Sequence, residues 1–299
     1  MPWSAPLLHI AILGVGKIGS TFAFQLARAG HDVTVIARPG SARLQQLRRD
    51  NGIVNVMGER ASVHVNEALD ETIRYDLVIV TVLAFQVDAA LPALQRSAAR
   101  CIQFSFVTFE PERLRDAVGA DRCAFSMPGV QAILDQEGRL KASISIRGPK
   151  TLLSQQRLVD LFAAAGLPAV LETDMPLWLR CHAPLCVAFE SVAVAGEQRG
   201  GGASWREAIS LARGVHEGFL LVKGLGYQIY PKSKVRLAGL PTGVVAIMLW
   251  MLSRVKSMRE LLAATGKYEC GALVDTMVAA APKAQPPIKV PRIQAMRPL

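Results

Sequence analysis

A short apolar run, His9-Ile10-Ala11-Ile12-Leu13, leads into Gly14-Val15-Gly16-Lys17-Ile18-Gly19, and the helix-forming stretch Ser20 to Gly30 follows at once. That order constrains the fold: a strand, a tight turn, then a helix packed back on the strand. The first glycine permits the turn, the second lets a ligand approach the backbone, and the third lets helix and strand lie close. A helix starting there presents unpaired N–H groups and a positive dipole end, which suits phosphate. G-x-G-x-x-G alone is a weak signal. Here a strand precedes it, a helix follows, and a second strand, Asp32 to Ala37, comes next. Gly14, Val15, Gly16, Lys17, Ile18 and Gly19 are therefore candidates for holding a dinucleotide.

The end of the second strand narrows the choice. An NAD site usually closes this strand with a carboxylate that accepts from the ribose hydroxyls. This chain has Arg38 there, with Ser41 and Arg43 just beyond. A guanidinium can grip a 2′-phosphate through paired, charge-assisted hydrogen bonds. NADP(H) is the expected cofactor; the alternative is that Arg38 is a solvated loop arginine.

With 299 residues the chain can form two domains, and 51% hydrophobic residues with few charges describe a globular protein. Cys101, Cys123, Cys181, Cys186 and Cys270 are scattered, with no C-x-x-C pair, which suggests buried thiols in a reducing compartment. Met1 to Pro6 carry no basic leader and the first strand starts directly afterwards, so a cytoplasmic location is expected. The net charge of +10 is uneven: Lys223, Lys232, Lys234, Arg236, Arg254, Lys256 and Arg259 lie between Glu217 and Glu260 with no acid among them. Such a field suits an anion-attracting site, a nucleic-acid or membrane surface, or an ordinary solvated face. No aromatic interleaving supports nucleic acid. The apolar run from Val244 to Leu252 falls well short of the roughly 20 residues of a membrane span, so a buried helix is expected, with a peripheral membrane contact left open.

Strands and helices alternate through the first half. Helices are expected over Ser41–Arg49, Val87–Ser97 and Glu110–Val118, and buried strands over Leu77–Leu83 and Cys101–Val107. Cys123–Met127 and Ala142–Ile146 look like strands bracketing a turn at Glu137-Gly138, followed by a helix over Thr151–Ala165 and a strand at Ala169–Leu171. From Asp174, a candidate N-cap, helical patterns take over. Leu177, Cys181, Leu185, Phe189 and Val192 form an apolar stripe, a helix spans Trp205–Gly224, and the tail from Pro282 reads as extended. The expected architecture is α/β: an NADP-type Rossmann doubly wound domain (1–173) followed by an all-helical domain (174–299) for substrate and dimerisation.

These features resemble the ketopantoate reductase family over most of the chain. Ala84-Phe85-Gln86-Val87 resembles that family's stretch after the fourth strand, which makes Gln86 a cofactor contact. Trp178-Leu179-Arg180 is similar to its W-x-K helix entry, and Gln228-Ile229-Tyr230-Pro231 to its x-I-x-P segment. Ser257, with Glu269 twelve residues on, matches its spacing of a substrate-binding serine and a carboxylate. The resemblance implies that the residue at Arg180 stabilises the developing alkoxide and that Glu269 positions it. It also implies a homodimer.

Five family polar positions differ. The lysine acid is Arg180, and a guanidinium is a poor proton donor. Phe106, Pro184 and Ala188 replace asparagines, and Leu83 replaces a lysine-like residue near the cofactor. Phe106 and Pro184 are then expected to line a larger, more apolar substrate pocket, widened by a kink at Pro184. The leading expectation is a reductase of a carbonyl or imine other than ketopantoate. A non-catalytic NADP(H)-binding sensor with a decayed site and a genuine 2-dehydropantoate 2-reductase are the alternatives. His182, Cys186 and Glu190 share a helix face, yet no fourth ligand stands near in sequence, so no metal is expected; His182 is a second candidate proton donor. Glu269 as a solvated helix carboxylate and Ser257 as an ordinary surface serine are the bland readings of that pair.

Overall fold

The computed structural model describes residues 7–145, 147–264 and 267–298. The chain divides into two compact units, Met1–Phe106 with Glu112–Met175, and Val107–Pro111 with Pro176–Leu299.

The first unit alternates as the hydrophobic periodicity predicts. It begins β1 (His9–Leu13), α1 (Lys17–Arg28), β2 (Asp32–Ile36), α2 (Ala42–Arg49), β3 (Ile53–Val54), β4 (Arg60–Ala61) and β5 (His64–Asn66). It continues β6 (Leu77–Val80), α3 (Val87–Arg96), β7 (Ile102–Phe104), α4 (Pro111–Val118) and β8 (Cys123–Met127). It ends β9 (Gln131–Leu134), β10 (Leu140–Ser143), β11 (Thr151–Leu153), α5 (Gln156–Ala164) and β12 (Ala169–Leu171). Eight strands form one sheet in the order β5-β2-β1-β6-β7-β8-β11-β12, parallel throughout except where β11 meets β8. All four residues of β6 are buried, as its β-branched run requires of a central strand. The order reverses between β1 and β6, so the glycine turn after β1 sits at the switch point where such sheets bind ligands. Phe22 of α1 meets Phe162 of α5 edge to face, 5.0 Å between ring centroids.

The second unit is helical: α6 (Met175–Gln198), α7 (Trp205–Gly224), α8 (Lys232–Ala238), α9 (Thr242–Leu252), α10 (Lys256–Ala263), α11 (Lys267–Ala280) and α12 (Pro291–Gln294). A capping box starts α7: the Ser204 hydroxyl accepts from the Glu207 N–H, and the Glu207 carboxylate accepts from the Ser204 N–H.

The doubly wound sheet followed by helices is the architecture expected from the sequence; four local expectations are corrected. Thr151–Leu153 is a strand, not helix, because it pairs with both β8 and β12; α5 starts only at Gln156. The Glu137-Gly138 turn joins β9 to β10 in a separate ribbon, while Cys123–Met127 belongs to the main sheet. The tail is not simply extended. It carries α12, anchored where the Glu217 carboxylate accepts from the N–H groups of Arg292 and Ile293, 2.8 Å each, and where Ser191 donates to the Met296 carbonyl. Finally, α9 is buried on one side only, through Val245, Ala246 and Leu249; Val244, Ile247, Met248 and Met251 are exposed.

Candidate functional site

In the sheet unit the glycine turn is packed tightly beneath and open above. Gly14 has φ +95°, a left-handed conformation, and a side chain there would meet Val82 at 2.9 Å. A Cβ on Gly19 would lie 1.9 Å from the Gly14 carbonyl oxygen and 2.5 Å from Thr81 Oγ1. Thr81 Oγ1 itself donates to the Gly14 carbonyl at 2.6 Å and fixes the turn from below. Around Gly16, by contrast, no atom lies within 4 Å of where a Cβ would stand. Gly16 is also the N-cap of α1, and no side chain caps that end. Open backbone at a helix N-terminus fits a diphosphate.

Val15 is buried, and its carbonyl accepts from Ser20 Oγ (3.2 Å) and Arg43 Nε (3.0 Å). Lys17 and Ile18 form the first turn of α1 and are half-buried. Arg38, just past β2, is exposed. Ser41 and Arg43, a few residues on, are engaged with the protein itself. The Ser41 hydroxyl caps α2 by accepting from Leu44 N at 3.2 Å. Arg43 donates to Val15 O, to Gly138 O (2.7 Å), to Ser20 Oγ (2.6 Å) and to Gln46 Oε1. Burial pulls its pKa down to about 10 against the opposing pull of Asp50. Arg43 therefore ties the glycine turn to α2 and to the β9–β10 turn. Gln86 is exposed, and its side-chain oxygen accepts from Leu83 N at 3.2 Å. Phe106 is buried edge-on against Phe104, 6.0 Å between centroids. Beside it, Gln103, Ser105 and Ser126 form a buried hydrogen-bonded triad.

In the helical unit Arg180 is 5% exposed, its guanidinium carbon 4.0 Å from the centre of the Tyr227 ring and 5.9 Å from that of Phe109. Two aromatic faces thus fix one cation, an arrangement worth on the order of 2 kcal/mol where water is excluded. A guanidinium held this way can stabilise an oxyanion or a carboxylate but gives up no proton. Pro184 does not open a pocket. The 24-residue helix α6 runs through it, and a Cβ on Gly218 of α7 would stand 2.6 Å from the Pro184 Cβ and Cγ. The missing side chain at Gly218 leaves room for the ring. Ala188 is fully buried. Glu269 is 5% exposed, in the first turn of α11, so the solvated-carboxylate reading fails. Ser257 is exposed at the start of α10.

The His182, Cys186 and Glu190 face is occupied by other contacts. Cys186 and Cys270 each donate to one oxygen of Glu190, at 3.3 and 3.1 Å, and burial raises the pKa of that carboxyl. His182 stacks on Trp178 at 4.5 Å. Burial, with Lys234 nearby, lowers its pKa to about 3, so it holds no proton to donate near neutrality. That corrects the reading of His182 as an acid. Lys234 is itself buried, donating to Trp178 O at 2.7 Å with its ammonium 3.7 Å over the Trp178 ring. Among the described residues no group of three or more His, Cys, Asp or Glu side chains could hold a metal ion. Sequence reasoning missed Thr81, the Arg43 tether, the Phe109–Tyr227 clamp and Lys234. Only Arg43 carried a signal, its place just past β2.

Residues 10–145 match the family model described as "Ketopantoate reductase PanE/ApbA". A 2-dehydropantoate 2-reductase of Vibrio cholerae is 35% identical over 88 residues, which is 29% of this chain and only 27% of that protein. Among solved structures, a PanE/ApbA family ketopantoate reductase from Ralstonia eutropha JMP134 superimposes with TM-score 0.73 and 19% identity over 96% of this chain and 95% of that one. D-Mandelate dehydrogenase, solved with NADH, superimposes with TM-score 0.70 and 16% identity over 97% and 96%. The fold is therefore shared along nearly the whole chain, whereas the family model matches residues 10–145 alone.

Proposed function

We propose that this chain is a divergent member of the ketopantoate reductase family, whose model its residues 10–145 match, and an NADP(H)-dependent reductase of a carbonyl or imine substrate other than ketopantoate. The observation that carries the reading is the open turn at Gly16 with Arg38 exposed at the end of the next strand. The N–H groups of Gly16, Lys17 and Ile18 would hold the pyrophosphate, Arg38 the 2′-phosphate, and the Gln86 amide nitrogen the part of the cofactor beyond β6. NADPH, when bound, supplies the hydride.

Arg180, clamped by Tyr227 and Phe109, would stabilise the charge that develops on the substrate oxygen or anchor a carboxylate, with Glu269 and Ser257 orienting the substrate. An imine that arrives already protonated needs no acid, which suits a site whose cation keeps its protons. Phe106 and Pro184, held in an aromatic stack and a helix contact, would add apolar surface in place of hydrogen bonds. All five cysteines are buried and none is joined in a disulfide, which suits a reducing, cytoplasmic setting.

The test is NADPH oxidation against keto acids, ketones and imines. Arg38→Ala should raise the KM for NADPH about 10- to 100-fold, the loss of one charge-assisted contact of roughly 1.5–3 kcal/mol, and leave NADH use unchanged. Tight NADPH binding without turnover on any substrate, even after Arg180→Lys, would end this reading in favour of a non-catalytic cofactor sensor.

A further inference from the structure

Helix α9 bears no charged residue, and its apolar side chains run all the way round. A helix of that kind is normally enclosed. Here only Val245, Ala246 and Leu249 are covered. Val244, Ile247, Met248 and Met251, spaced i, i+3, i+4, i+7 on the opposite side, are 40%, 48%, 47% and 59% exposed. Val255, just past the helix, and Val235 on α8 are also exposed. The helices α8 and α9 meet at 112° and together are long and apolar enough for a membrane, though neither is alone. An apolar surface of this extent marks an interaction site.

The surrounding charge indicates what covers it. Lys223 on α7, Lys232 and Arg236 on α8 and Arg254 after α9 are all exposed, and the segment from 218 to 259 contains no acid. Arg254 lies 3.4 Å over the ring of Trp250, an amphipathic pairing of the kind found where apolar and polar surroundings meet. A second copy of the chain would bring two rims of the same sign together across a twofold axis, a repulsive arrangement. An anionic bilayer surface instead offers hydrocarbon for the apolar face and negative headgroups for the rim.

We propose that the exposed face of α9, with its basic rim on α7, α8 and Arg254 after α9, docks the protein reversibly on an anionic membrane surface. The helix lies in the interface and does not span. Val244, Ile247, Met248 and Met251 would sink among the acyl chains while the lysines and arginines reach the headgroups.

Flotation of the full chain with vesicles of phosphatidylcholine, alone or with about a third phosphatidylglycerol, tests this. Binding is expected to the anionic vesicles and to weaken steeply with salt. Each rim charge contributes about fivefold to partitioning, so the double variant Lys232→Gln, Arg236→Gln should lower it roughly 20- to 30-fold. Ile247→Asp with Met251→Asp should abolish it. These side chains are solvent-facing, so thermal melts and NADPH affinity should stay at wild-type values, which separates failure of this proposal from failure of the reductase reading. Equal binding to both vesicle types, no binding, or a dimer in sedimentation that Ile247→Asp dissociates would each overturn it, the last in favour of a second copy.

Discussion

Gly16 and Gly19 belong to one motif, yet the structure assigns them opposite costs on substitution. A methyl on Gly19 would overlap the Gly14 carbonyl at 1.9 Å and Thr81 Oγ1 at 2.5 Å, where ordinary contact begins near 3.4 Å. The first obstacle is backbone held in the sheet, so α1 has to retreat by more than an ångström. Overpacking of this kind costs about 1–3 kcal/mol, of which better helix propensity returns up to ~1. The apo protein with Gly19→Ala should therefore melt several degrees lower. Gly16→Ala meets nothing within 4 Å, and its φ of −77° is open to any residue. Its melting temperature should stay within the change expected of ~0.5 kcal/mol. The same methyl would stand where the pyrophosphate approaches. Losing one or two charge-assisted N–H bonds, about 1.5–3 kcal/mol each, weakens NADPH by roughly 100-fold. Thermal melts of the apo variants beside fluorescence titration with NADPH decide the matter. Wild-type affinity in Gly16→Ala, or an unchanged melt in Gly19→Ala, would refute the reasoning.

Two further outcomes follow from buried cations and an uncharged histidine. The pKa of His182 falls from 6.5 unfolded to about 3 folded, so its contribution is complete above pH 6.5 and is lost as pH drops toward 3. At pH 5 the loss is about 2 kcal/mol; urea unfolding should show it in the wild type and not in His182→Phe, and parallel pH profiles would contradict it. Arg43→Met takes the guanidinium from the Gly138 carbonyl and leaves the Val15 carbonyl with the Ser20 hydroxyl alone, at a cost of about 1–3 kcal/mol, and should loosen NADPH binding without contact to the cofactor. Arg43→Lys, able to reach one of these acceptors, should recover part of both.

What was legible in the sequence follows from how local each feature is. The glycine turn declared itself because strand, turn and helix start are contiguous and every residue in them has one steric reason. The strand at Thr151–Leu153 did not, since its extended form comes from neighbours β8 and β12, far off in the chain. Arg43 and Arg38 look alike as arginines shortly after the second strand; only the fold shows one committed to carbonyls and the other exposed at the surface. The clamp on Arg180 draws on Phe109 and Tyr227, whose positions in sequence bear no periodic relation to it. For α9 the pattern itself carries no answer: a helix apolar on every side cannot reveal which side the protein covers.

Pro184 brings these strands of argument together. A proline inside a helix costs about 3 kcal/mol through a lost hydrogen bond and a clash one turn back, and a glycine in a facing helix costs up to ~1 more. Both are tolerated here because each makes room for the other: the Pro184 ring occupies the space a side chain on Gly218 would fill. The face of α6 that runs through Arg180, Pro184 and Ala188 is thus spent on packing after its first turn, with Ala188 fully buried. From Arg180 to Ala188 the polar group on that face is a cation set between two rings. Under the proposed function, chemistry that asks only for a stationary positive charge suits this stretch better than chemistry that needs several hydrogen-bond donors along it. A substrate that brings its own proton, or takes one from water after hydride arrives, matches what is left.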